Sequence, residues 1–131
     1  MDINKYIKIP YRIKGRDFSG CDCWGLVRLV LKEEFRTDLP MFSIYESVED
    51  SKKVEKLIRE NKPLVDVEEK GLPDIGDLCL MNFVGSLQHI GIYVGDARVL
   101  HTTKKTGVMC TRIDHPMLRN KIEGWYGVRK N

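Results

Sequence analysis

The apolar positions change period part-way along the chain. Leu26, Val27, Val30, Leu31 and Phe35 recur at three- and four-residue spacing, which predicts a helix over residues 23–35. "TDLP" follows, with Pro40 as the breaker. Asp2 is placed to cap a short first helix that runs through Tyr6, and residues 10–20 read as a loop. Val48, Val54, Leu57 and Ile58 predict a second helix over 47–60, with mostly charge on its outer side. Beyond it come short apolar blocks that predict strands at 64–67, 77–83, 89–94, 98–102, 108–112 and 123–129. Gly71, "LPDIGD", "GS", "GDA" and "KKTG" punctuate them as turns. Helices first and an antiparallel meander afterwards predict an α+β fold, with helices packed on one side of a sheet.

Composition narrows the picture. A chain of 131 residues predicts one domain over 1–131, long enough to bury a core without staples. A net charge of +3 is compatible with a mildly anionic surface such as a cell wall, but no Lys/Arg block marks a nucleic-acid partner. "MDINKYIKIPYRIKG" lacks the apolar core of a secretory signal, and no apolar run approaches the length of a membrane span. The expectation is a chain made in a cytoplasm. There, Cys21, Cys23, Cys79 and Cys110 are expected to stay reduced.

Chemistry then rests on "SGCDCWGLVRLVL". A cysteine in such a protein is by default an inert core residue. Cys23, however, falls where the helix should begin. Free backbone N–H groups and the positive end of the dipole would lower its thiol pKa. Gly25 is expected to leave open space in the first turn. A nucleophile needs a base, and "HIGIYVGDARVLHTT" holds two of the three histidines. His89, Gly91 and Tyr93 should share one strand face, with Ile90, Ile92 and Val94 on the other. A three-residue loop at Gly95-Asp96-Ala97 would set His101 opposite Gly91, diagonal to His89 and on the same face. Diagonal neighbours are roughly 7–8 Å apart, within reach for two imidazoles. Zinc held by Cys21, Cys23, His89 and His101 is the rival reading. It ranks lower, because only Asp22 separates the cysteines and structural zinc sites favour two to four intervening residues.

These residues resemble a known family. "YRIKGRDFSGCDCWGLVRL" resembles the first signature of the NlpC-type peptidoglycan peptidases: a tyrosine, a glycine-rich loop, then Asp-Cys-x-Gly-Leu-Val opening a helix. "LPDIGDLCLMNF" is similar to the family's Gly-Asp strand entry. "HIGIYVGDARVLHTT" is similar to its histidine hairpin, with a second polar residue twelve positions after the first. Tyr11 lies twelve before Cys23, where the family's site tyrosine falls. Trp24 and "TDLP" look most like the phage-tail branch. Two departures stand out: Lys14-Gly15 replaces the family's Gly-Gly, and Trp24 its usual serine.

The resemblance implies a papain-like α+β fold, with the nucleophile helix packed on a central antiparallel sheet. It implies hydrolysis of an amide in peptidoglycan stem peptides, typically between γ-D-glutamate and the diamino acid. Cys23 would be the nucleophile, His89 the proton carrier and His101 its orienting partner. Tyr11 would join the Cys23 N–H at the oxyanion. Asp22 would cap the helix or bind the substrate amine, with the cap favoured. Trp24 would pack or wall the substrate, with packing favoured. Cys21 would be a spectator. No cofactor and no metal are implied. The partners would be the stem peptide and, in the phage-tail branch, other tail proteins. The contrasting reading is a lapsed site that serves as a tail or assembly binding module.

Overall fold

The computed structural model describes residues 1–39, 67–83 and 87–128. A 3-10 turn over Ile3–Lys5 opens the chain, and Asp2 caps it by accepting from the Asn4 N–H. The short strands β1 (Arg16–Asp17) and β2 (Gly20–Cys21) form a hairpin that leads into helix α1 (Cys23–Phe35). The expected helix over 47–60 lies outside the described residues. So does the strand expected over 64–67, apart from Val67, where β3 (Val67–Lys70) begins. The remaining strands fall where the apolar blocks predict them. They are β4 (Leu78–Phe83), β5 (Leu87–Gly95), β6 (Arg98–Thr103), β7 (Gly107–Arg112) and β8 (Ile122–Val128).

The helix has a polar cap at each end. Asp22 is the N-cap in extended conformation, and its side chain accepts from the Gly25 N–H at 2.8 Å. At the other end Arg36 turns left-handed at φ 52°. Its N–H reaches the Lys32 carbonyl, and the Thr37 N–H reaches that of Leu31. The Arg36 bond is that of the αL cap, so the helix stops before Pro40 is needed as a breaker. Eight residues from Cys23 to Leu31 are buried, which leaves a polar face only towards the C-terminal end.

Antiparallel pairing orders the large sheet β3-β8-β4-β5-β6-β7. Strands β4 to β7 form the expected meander, and β8 crosses back to lie between β3 and β4. Strand alternation divides the core into two clusters. Leu78, Leu80, Ile90, Ile92 and Leu100 pack with α1 in the larger one. Cys79, Met81, Val99 and Leu118 form the smaller one on the opposite face, beneath the turn after β7. The fold is thus papain-like α+β, with one α-helix among the described residues packed on a large antiparallel sheet.

Candidate active site

Backbone geometry holds the corner at the start of α1. Both oxygens of Asp22 are engaged: Oδ1 accepts from Gly25 and Oδ2 from the Lys14 N–H, each at 2.8 Å. The Asp22 side chain is therefore a cap that also ties the preceding loop to the helix. At 1% exposure it has no surface to offer a substrate amine. Tyr11 bridges Cys21 in parallel, and the Arg12 N–H donates to the Cys21 carbonyl. This docks the half-buried Tyr11 two residues from Cys23. Gly25 does not open space in the first turn, as the sequence suggests. A Cβ there would overlap the Gly15 carbonyl oxygen, so the glycine lets loop and helix touch.

Cys23 occupies the first helical position and is fully buried. Trp24 beside it is also buried in the α1 cluster, which makes it packing rather than a surface wall. Burial, followed by the Asp22 and Asp17 charges, pushes the Cys21 thiol up to about 12. That suits a spectator. Cys79 is likewise pushed up to about 12 by burial, and the half-buried Cys110 also rises.

The hairpin brings the two histidines together. Their rings meet edge-on with centroids 5.7 Å apart. Register explains why. Asp96 and Ala97 form a two-residue turn, both at positive φ, and Gly95 pairs with Arg98. The register then slips by one residue, so that Tyr93 pairs with Val99 and Ile92 with Leu100. A two-residue turn plus a one-residue bulge gives the same parity as the expected three-residue loop. Without the bulge, His101 would fall opposite Ile92 and point to the other face. Gly91 lets the two strands pack closely: a Cβ there would stand 2.7 Å from the Val99 side chain.

Both imidazoles are buried and held neutral. Burial, then the neighbouring His101, lowers the His89 pKa to about 3, and a hydrogen bond to the Thr102 backbone only partly opposes this. Burial lowers that of His101 to about 4. His101 Nε2 lies 2.9 Å from the Thr111 hydroxyl. The sequence reading missed Thr111. The "KKTG" turn carried the signal, because it sets His101 opposite Met109 and Thr111 diagonally on the same face.

Alternation also separates groups. His89 pairs with Met81 and His101 with Met109, on the face of the smaller cluster. Cys21 and Cys23 lie in the cluster beneath α1. Among the described residues no group of three or more His, Cys, Asp or Glu side chains is placed to hold a metal ion. His115 is exposed, and its Nδ1 accepts from the Met117 N–H. Among the described residues no helix is long and apolar enough to cross a membrane.

Comparison with known proteins places this arrangement. The chain is 29% identical over 113 residues to the murein DD-endopeptidase MepS/murein LD-carboxypeptidase of Escherichia coli strain K12. The match covers 86% of this chain and 52% of that protein, so the chain spans about half the length of the curated relatives it matches. The NlpC/p60 domain of the peptidoglycan hydrolase SagA superposes with a TM-score of 0.60 at 19% identity, covering 95% of this chain and 91% of that one. An NLP/P60-family protein similar to lipoprotein, from Staphylococcus aureus Mu50, gives a TM-score of 0.62 at 18% identity, covering 97% and 39%. The NlpC/P60 family pattern itself matches residues 8–125, nearly the whole chain, and the chain belongs to the NlpC/P60 family.

Proposed function

We propose that the chain is a cysteine peptidase that hydrolyses an amide bond in peptidoglycan stem peptides, between γ-D-glutamate and the diamino acid. The observation that carries the reading is the buried, edge-on His89–His101 pair, in a family member whose Cys23 opens a capped helix. In the reaction Cys23 Sγ attacks the scissile carbonyl while His89 takes the thiol proton. The C–N bond then breaks, His89 protonates the leaving amine, and a thioester remains. Water hydrolyses the thioester with His89 as base. The Cys23 N–H, with Tyr11, faces the oxyanion. Loss of one such donor typically costs about 10²–10³ in rate. His101 holds the His89 ring in one tautomer, the role a carboxylate fills in the serine triad. A neutral resting imidazole suits a base that accepts a proton. The test is digestion of purified sacculi, with the products identified by mass spectrometry. New termini at γ-D-glutamate are expected. Sacculi left intact by folded protein would overturn the reading.

The contrasting reading is a lapsed site that serves as a tail or assembly binding module. The rate of Cys23 alkylation discriminates. A live site labels fast at neutral pH and slows in His89→Ala, whereas a lapsed one labels slowly in both. We place the protein in a phage tail on the strength of Trp24 and "TDLP". Antibody labelling of intact virions tests that placement.

A further inference from the structure

His101 needs a partner of its own if it is to orient His89. An imidazole has two nitrogens and, when neutral, a single proton to share between them. The group that binds one nitrogen therefore decides what the other can do. His101 is fully buried and Thr111 is 5% exposed. Nε2 of His101 and the Thr111 hydroxyl are 2.9 Å apart. The other nitrogen, Nδ1, is buried and has no hydrogen-bond partner among the described residues.

From the juxtaposition of Thr111 Oγ1 with His101 Nε2, we infer that Thr111 is a further positioning residue. As acceptor, its hydroxyl holds the His101 proton on Nε2 and leaves Nδ1 as the bare acceptor for the far N–H of His89. The inference rests on the proposed cysteine-peptidase reading and deepens it. It adds a third member to the chain behind the base, as second-sphere groups fix the tautomer of metal-bound histidines. The hairpin builds this contact. Val99 pairs with both Tyr93 and Thr111, so one stretch of β6 registers the histidine strand and the threonine strand together.

The substitution that tests it is Thr111→Val, which keeps the shape and removes the hydroxyl. Thr111→Ser restores the hydroxyl and guards against an effect of packing alone. Imidazole nitrogen shifts are read by NMR in the full chain, in wild type and both variants. The expected result is His101 as the Nε2–H tautomer in wild type, a mixture in Thr111→Val, and return to Nε2–H in Thr111→Ser. With a muropeptide substrate, kcat should fall about tenfold in Thr111→Val at unchanged KM, with recovery in Thr111→Ser. His101 shifts that are the same in all three proteins would overturn the inference. A tautomer response in a wild-type protein that leaves sacculi intact would support Thr111's hold on the ring and overturn the peptidase reading instead.

Discussion

The corner at the start of α1 and the β5–β6–β7 hairpin are both buried and both polar, yet they are held in different ways. At the corner, backbone N–H groups of Lys14 and Gly25 satisfy one carboxylate, and a missing side chain at Gly25 lets two segments touch. In the hairpin, side chains meet because strand register aims them, and one bulge sets that register. The corner leaves no buried carboxylate oxygen unsatisfied. The hairpin keeps two imidazoles neutral at a cost in proton affinity. Damage at the corner should therefore be read in stability, and damage in the hairpin in proton chemistry.

The sharpest way to break the comparison is at the reacting groups. Cys23→Ala and His89→Ala should each lower kcat/KM by about 10⁴-fold or more, because the members of a nucleophile–base pair fail together. Cys23→Ala should keep its thermal midpoint, and Cys21→Ser most of its activity. His101→Asn should retain measurable activity where His89→Asn retains almost none. An amide oxygen can hold an imidazole N–H but cannot carry a proton near neutral pH. Equal loss in the two Asn variants, by steady-state kinetics, would remove the division of labour.

Next is the pH dependence that the hairpin imposes on stability. His89 and His101 have folded pKa values of about 3 and about 4, below the unfolded value of 6.5. Between those limits the unfolded chain binds more protons, so stability rises with pH there. The contribution is complete above pH 6.5 and is lost as pH falls, towards 4 for His101 and towards 3 for His89. Each group should cost about 2 kcal/mol by pH 5, as an upper bound. Urea denaturation at pH 7 and pH 5 measures it. A His89→Gln/His101→Gln variant should lose most of this sensitivity, and wild-type stability that stays flat over the interval would show imidazoles able to charge in place.

Much of this was legible in the sequence, for reasons that differ by region. The helix start was readable because Asp22, an apolar spacing and a glycine coincide. The histidine face was readable because strands alternate strictly and "GDA" limits the turn. What failed to show was contact between distant segments. Gly25 looks like spare room in the sequence, and only the packed loop reveals the Gly15 carbonyl against it. Thr111 looks like an ordinary strand residue until the β6–β7 register is known. The face on which Cys23 lies relative to His89 depends on how the helix docks, which no local pattern encodes. The parity argument reached the right answer through a bulge rather than a longer loop. In both cases three residues of offset separate the strands, and the side chains respond only to that number.

Two substitutions at the corner probe stability alone. Gly25→Ala puts a methyl group into a backbone carbonyl that cannot rotate away, and should cost about 3 kcal/mol, the upper part of the range for overpacking. Asp22→Ala removes a cap and leaves the Lys14 N–H without its acceptor, and should cost about 2 kcal/mol. Asp22→Asn retains one amide oxygen and should recover part of that loss. Chemical denaturation of the three variants orders them. If Asp22→Ala proved neutral, the loop would be held by something other than the carboxylate.

The smallest effect isolates backbone strain. Lys14 stands where the resemblance leads one to expect glycine, and it sits in the left-handed region at φ 62°. For a residue with a Cβ that conformation costs about 1–2 kcal/mol. The lysine tolerates it because its own N–H is bound by Asp22. Lys14→Gly relieves the strain but loosens the unfolded chain, which takes back about 0.4–1 kcal/mol. The expected net gain is about 0.5 kcal/mol, seen as a higher denaturation midpoint at unchanged slope. Lys14→Ala keeps the Cβ and removes only the exposed side chain, so it should match wild type. If Lys14→Gly instead lost stability while Lys14→Ala did not, the corner would be stiff enough to absorb the strain, and the unfolded-state entropy would dominate. If both lost stability, the lysine side chain itself would be holding the loop, and the corner would no longer rest on backbone contacts alone.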